Sequence, residues 1–257
     1  MAFGISTSCL YPQETEKSLI QLADLGVKTC EVFLNSPSET TIDFAKILNE
    51  ISAERGIKIV SVHPFSSFAE TYMLFSEYQR RFDDMLEFYK RAFEVTAAVG
   101  AEISVIHGSL LPSKIPENEY FERFMKLVNA GKAFGVTVAQ ENVNRHFSEN
   151  PDFLKRMKAA LGNDFKLVFD VKQAVRAGYS PIEFAKEFKK DIIHIHLSDH
   201  NAEHDCMPPA LGNFDFKELF SVMNSVNYAG DYIIELYRAG FGDVSDLKKA
   251  LTYLENL

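Results

Sequence analysis

The feature of this chain that most restricts its fold is an alternation that runs from one end to the other. Eight compact apolar runs stand at Phe3–Ser8, Thr29–Leu34, Lys58–His63, Ile103–His107, Val136–Glu141, Leu167–Asp170, Ile192–Leu197 and Tyr232–Leu236. Short, nearly continuous apolar runs are what parallel strands covered on both faces require. The stretches between them carry apolar residues at three- and four-residue spacing, the mark of amphipathic helices. These are Glu14–Leu25, Glu39–Arg55, Leu74–Val99, Glu117–Phe134, Pro151–Leu161, Pro181–Phe188, Asp215–Val226 and Ser245–Leu254. Gly26, Gly56, Gly100, Gly135 and Gly162 stand where helices end, and Asn150-Pro151 and Ser180-Pro181 stand where they begin.

Eight strands, each followed by a helix, in 257 residues is the arithmetic of a TIM barrel. The expected fold is therefore α/β, a (β/α)8 barrel forming a single domain over residues 1–257. A doubly wound sheet needs fewer repeats and often opens on a glycine-rich turn. The first turn here, Ser8-Cys9-Leu10-Tyr11-Pro12, has no glycine. No linker, low-complexity segment or charge block marks a second domain.

Composition narrows the function. No segment is long and apolar enough to span a membrane, and Met1–Leu10 has no basic region before its apolar residues, so a cytoplasmic protein is expected. Cys9, Cys30 and Cys206 are odd in number and lack zinc-ribbon or redox spacing, which argues against a disulfide framework. The net charge of −9 weighs against nucleic acid as a partner, because phosphate binding wants a basic face. A metal cluster can still supply positive charge locally. The oligomeric state is left open, a homo-oligomer included.

Ligand-type residues recur at the C-terminal ends of the strands: His63, His107, Glu141, Asp170, His196 and Glu235. In a barrel these ends share one face, where active sites form. A lone His at a strand end is usually a hydrogen-bonded structural residue, and a lone Glu is often the first loop residue. Six on six successive strands is a different matter, since buried carboxylates cost several kcal/mol each unless a cation compensates. Glu141, Asp170, His196 and Glu235 form an oxygen-rich set suited to one divalent ion of Mn, Mg, Co or Zn. His194 shares a strand face with His196 and is expected in the barrel interior or behind the ligands.

In this order the segments Gln140-Glu141-Asn142, Phe169-Asp170-Val171, His194-Ile195-His196-Leu197-Ser198-Asp199, Gly212-Asn213-Phe214-Asp215-Phe216 and Ile234-Glu235 resemble the xylose isomerase-like TIM barrels. That group holds sugar isomerases and epimerases together with endonuclease IV relatives (AP endonuclease family 2). The resemblance implies a metal-dependent isomerase or epimerase for a sugar, sugar phosphate or similar small molecule. Glu141, Asp170, His196 and Glu235 would hold the metal, and Glu141 and Glu235 would serve as acid and base. The chemistry is reasonable on its own terms. A proton beside a carbonyl is too weakly acidic to leave unaided, a metal stabilises the enediolate that forms, and a carboxylate on each face can move the proton.

The departures from the family pattern carry information. A His commonly lies three residues after the metal-binding Asp of these relatives; here Gln173 stands there, able to hydrogen-bond a sugar hydroxyl but a poor metal ligand. Lys172 beside it suits an anionic group, although a Lys just past a strand is more readily read as solvent-facing. In the endonucleases three zinc ions draw on residues matching His63, His107, His204 and Cys206. The alternative is thus a zinc phosphodiesterase acting at abasic DNA, or a barrel that binds metal or sugar without turnover. The replacement at Gln173 favours the sugar reading, with His63, His107, Gln173, Lys172 and Arg238 as substrate contacts and His204 and Cys206 as a second site only in the nuclease case. A loop with a buried thiol is the plainer reading of His204-Asp205-Cys206. Ala210 replaces a glycine usual in that loop.

Two further segments suit substrate. Pro64–Arg81 is long for a βα loop and holds Phe65, Phe68, Tyr72, Phe75 and Tyr78, which suit either a lid over a sugar or packing on the barrel top. Arg238-Ala239-Gly240-Phe241-Gly242 follows the last strand, where barrels often hold phosphate. Arg145, His146 and Arg176 are further candidates for anion contact.

Overall fold

In a computed structural model of the chain, residues 2–64 and 67–257 are described, the side chains of residues 67 and 68 excepted. Eight parallel strands close into a barrel in sequence order. They are β1 (Phe3–Ser6), β2 (Thr29–Phe33), β3 (Lys58–His63), β4 (Ile103–Ile106), β5 (Thr137–Glu141), β6 (Leu167–Asp170), β7 (Ile192–Leu197) and β8 (Tyr232–Ile234). Closure is made by β8 beside β1, with Phe3 opposite Tyr232 and Ile5 opposite Ile234. The expected single (β/α)8 barrel is the fold of the chain.

Helices pack outside, the longer ones burying an apolar stripe against the barrel. Those described are α1 (Thr15–Asp24), α2 (Ile42–Arg55), α3 (Ser67–Met73), α4 (Gln79–Ala98), α5 (Glu117–Lys132), α6 (Pro151–Leu161), α7 (Val171–Arg176), α8 (Pro181–Phe188), α9 (Phe216–Asn224) and α10 (Val244–Glu255). Local chemistry explains their ends. Thr41 caps α2 through Phe44 N, and Gly56 stops it at φ +64°. Asn150 and Ser180 cap α6 and α8, each with proline in the first turn. Asp243 and Asp246 form a reciprocal capping box on α10.

The main core lies between helices and sheet. Phe75 stacks on Tyr120 at 4.1 Å, and Tyr120 meets Phe153 edge-on at 5.2 Å. Each such ring stabilises the fold by roughly 2–3 kcal/mol over its exposed state. The strand interior is layered instead, because alternate residues of each strand point inward. Val105, Ala139 and Val168 fill the lower interior with Ile103 and Ile193. Above them the inward positions turn polar.

Three expectations are adjusted. The first, second, fourth and eighth strands end earlier than their apolar runs, because Thr7–Leu10 turns into a 3-10 helix and Leu34, His107 and Glu235 lie just past their strands. The helix expected from Leu74 starts at Gln79; Leu74 and Phe75 are buried ahead of it. The long segment after β3 contains α3, and a short α7 follows β6 directly. No helix among the described residues is long and apolar enough to cross a membrane.

Candidate functional site

Successive inward positions build the site from below. On β2, Cys30 and Val32 face the outer core, so Glu31 between them points into the barrel, fully buried. Its Oε2 accepts from Ser61 Oγ at 2.8 Å and lies 3.1 Å from His196 Nε2 and 3.2 Å from His194 Nε2. Ser6 Oγ donates to its other oxygen at 3.4 Å. His194 thus lies in the barrel interior behind the ligand positions, as expected of it. Sequence reasoning missed Glu31. The available signal was a lone carboxylate inside the apolar run Thr29–Leu34.

With Nε2 turned down to Glu31, His196 presents Nδ1 upward. That atom lies 3.3 Å from Glu141 Oε1, 3.4 Å from Glu235 Oε2 and 3.7 Å from Asp170 Oδ2. The four residues offer ligand atoms within 4.8 Å of one another. A carboxylate that takes one imidazole N–H fixes the tautomer and leaves the other nitrogen as a metal ligand. The donor set, three carboxylates and a backed imidazole, therefore fits a divalent cation. His63 and His107 stand beside it, edge-on at 4.6 Å. His107 Nε2 lies 2.8 Å from Glu141 Oε2, and His63 Nδ1 lies 3.8 Å from Glu235 Oε1.

Charge is densely compensated. Burial alone would push the Glu31 carboxyl up, but His196 and His194 hold it well below the usual range. Burial is likewise outweighed at Glu141 by His107 and His196, and at Glu235 by Lys172 and His196, so both carboxyls are held low. Burial dominates at Asp170 and raises it. The imidazoles of His196 and His107 are raised despite burial, the first by Glu31 and Glu235, the second by Glu141.

Lys172 corrects the sequence reading. It is 3% exposed rather than solvent-facing. Its Nζ bonds Asp170 Oδ2 and lies 2.5 Å from Glu235 Oε2. The cause is local: Asp170 caps α7 through Gln173 N at 2.9 Å, and this first turn aims Lys172 back over the barrel mouth. Gln173 accepts from Asn144 N at 3.1 Å, which leaves its amide N–H groups for a ligand.

The flanking motif residues serve as clamps. Gln140 takes the Tyr120 hydroxyl at 2.6 Å and donates to His107 O and Glu141 O, both at 2.8 Å. Asn142 bridges to β6 through Asp170 N and O. Glu70, on α3, accepts from Gly108 N and so pins the residue after His107. Asp199 accepts from the amides of His200, Ala210, Gly212 and Phe214. A Cβ on Gly212 would meet Asp199 Oδ1 at 2.3 Å, hence the glycine. Ala210 takes φ +84°, a left-handed backbone that favours glycine.

A cavity of about 310 Å3 opens above the cluster, lined among others by Phe33, His63, His107, Gln173, Tyr237 and Arg238. Its size is that of a small-molecule site. Other candidates stand apart or are already engaged. Arg238 donates to Phe241 O and Gly242 O and lies over the Phe241 ring at 4.7 Å. Arg176 forms a two-point pair with Asp205. Burial pushes His146 down to about 4, which leaves no charge there for an anion. His204 is exposed and Cys206 buried, and neither joins a potential metal-ligand group among the described residues. Of the aromatic segment, Phe75 packs in the core and Tyr72 and Tyr78 are exposed; Phe65 and the Phe68 side chain lie outside what is described.

A closed parallel barrel with ionisable residues gathered where its strands end is a TIM barrel with an active-site-like mouth. The xylose isomerase-like TIM barrel description matches residues 19–257, and the chain belongs to that family. Solved structures of similar shape include E. coli 3-keto-D-glucoside 4-epimerase, 16% identical, TM-score 0.80, covering 100% of both chains. A D-tagatose 3-epimerase-like protein is 20% identical with TM-score 0.83, over 100% of this chain and 96% of that one. D-allulose 3-epimerase from Methylomonas sp., solved with D-allulose, is 15% identical with TM-score 0.81, over 100% and 96%. Likeness at these identities is one of fold. None of the curated proteins matches the sequence.

Proposed function

We propose that the protein is a divalent-metal-dependent isomerase or epimerase of a sugar or closely related small molecule. The observation that carries this reading is the pair Glu141 and Glu235. Both are buried and held ionised, and both touch His196 Nδ1 below the same cavity. The named activities of the epimerases with this fold support the substrate class.

Glu141, Asp170, His196 and Glu235 would hold the ion, which when bound supplies a Lewis acid for a carbonyl and its neighbouring hydroxyl. The rest is the work of the chain. One glutamate takes a proton from the carbon beside the carbonyl; it can hand that same proton to the next carbon, or the other glutamate, after taking up a proton of its own from His107 or solvent, can deliver it to the opposite face. His107, against Glu141, steadies that carboxylate and can pass a proton on. His63 and Ser8 flank Glu235, with Ser8 Oγ 3.4 Å from its Oε1. Gln173 and Lys172 face the cavity as polar contacts. Arg238 has spent donors on its own loop, which favours a sugar without phosphate.

Metal-free protein reconstituted with Mn2+, Mg2+ or Co2+ and incubated with free and phosphorylated ketoses should convert at least one, by chromatography of the products. Glu141→Gln and Glu235→Gln should each lose about 100- to 10,000-fold of that turnover. Turnover kept by either variant removes that residue from the proton path, and no conversion across a broad panel removes the reading.

A further inference from the structure

Lys172 belongs to the neighbourhood of the four-residue cluster, yet it does more than line it. Its ammonium bonds Asp170 Oδ2 and Glu235 Oε2. Those are the same two oxygens that converge with Glu141 Oε1 on His196 Nδ1. A divalent ion held by the four residues needs them. An ammonium and a dication drawn to one pair of oxygens repel each other across a short gap in a poorly screened interior.

We infer that Lys172 is a resident cation that competes with the metal and sets how tightly the site binds one. This deepens the reading of the site as a metal centre. In the metal-free protein the ammonium neutralises Asp170 and Glu235, so the carboxylate cluster stays folded without an ion. Metal binding drives the ammonium out. The side chain has the means to leave: four flexible methylenes carry a point charge with rotatable donors, and the Tyr237 ring already stands 5.6 Å from Nζ on the cavity side. Weakly held ions fail to displace it, so the lysine selects for ions with strong affinity for nitrogen and oxygen ligands. Lys172 acts here as a positioning residue rather than a catalytic one.

The test is calorimetric titration of Mn2+ into metal-free protein. Lys172→Met, which keeps the apolar stem and removes the charge, should bind Mn2+ at least tenfold more tightly than the parent chain. Equal or weaker binding by the variant, or no binding by either protein, overturns the inference. If Lys172→Met fails to fold without metal, the parent chain answers instead. Its Lys172 ammonium should give a slowly exchanging 15N–1H resonance that shifts or vanishes with one equivalent of Zn2+. A resonance unmoved at saturating Zn2+ contradicts the competition. Failure of the sugar reading would appear as absent turnover and would leave both binding measurements intact.

Discussion

Glu31 shows how a single residue can set the chemistry of a site it does not face. It holds His196 Nε2 from beneath, so Nδ1 points at the three carboxylates above. Glu31→Gln keeps the shape and removes the charge, and should weaken Mn2+ binding about 10–100-fold, as loss of a carboxylate behind a ligating His does. Unchanged affinity in a titration would mean that His196 does not depend on it. At the strand ends the site was legible, because a His, Asp or Glu closing an apolar run stands out. Glu31 was not, since a mid-strand carboxylate announces neither its depth nor its partners. Lys172 was misread for a related reason: a Lys past a strand is usually solvated, and only the cap made by Asp170 turns it inward. His146 offers a pH signature. Burial pushes its imidazole down to about 4 from an ordinary 6.5. Below about pH 6.5 the unfolded chain takes up a proton that the folded one refuses, so stability present above that pH falls away toward pH 4. His146→Gln should lose less between pH 6.5 and 4 in urea unfolding, by about 3 kcal/mol at the acid end. Parallel decline in both proteins contradicts this.

At the level of elements, the helices were legible wherever a cap and a long periodic stretch coincided, as at Asn150-Pro151 and Ser180-Pro181. The short α3 and α7 were not, because six or seven residues give too little periodicity, and their order comes from a tertiary bond in one case, Glu70 to Gly108 N, and a side-chain cap in the other, Asp170 to Gln173 N. The segments that resemble the family turn out to mix two tasks. Glu141 and His196 face the mouth, whereas Gln140, Asn142 and Asp199 hold backbone. Asp199 is the firmest of these, with four amides within 2.8–3.1 Å. Asp199→Ala should cost about 3 kcal/mol or more, the worth of bonds to a buried carboxylate. Hydrogen exchange should show protection lost first at Ala210, Gly212 and Phe214. Retained protection at those amides would mean that the loop is held by something else.

On the scale of the whole molecule, the barrel separates structure from chemistry along its axis. Small apolar side chains close the lower interior, and charge collects at the mouth above it. This division follows from strand periodicity: each inward position is two residues from the next, so one apolar and one polar layer fit within a single short strand, as in Val168 and Asp170. The alternation of eight strands and helices was readable because it repeats over the full chain. The coupling across the mouth was not, because Glu31 lies far in sequence from His196 and Lys172 far from Glu235, and the pairs meet only once the strands stand side by side in the barrel. The proposal that this mouth moves a proton at a carbon beside a carbonyl rests on Glu141 and Glu235. It is tested most directly by incubating metal-loaded protein with ketoses in deuterium oxide and following the carbon-bound hydrogens by NMR. Deuterium should enter at the position next to the carbonyl, with the parent chain and not with Glu141→Gln or Glu235→Gln. No deuterium in any ketose, or equal incorporation by the variants, would contradict the account.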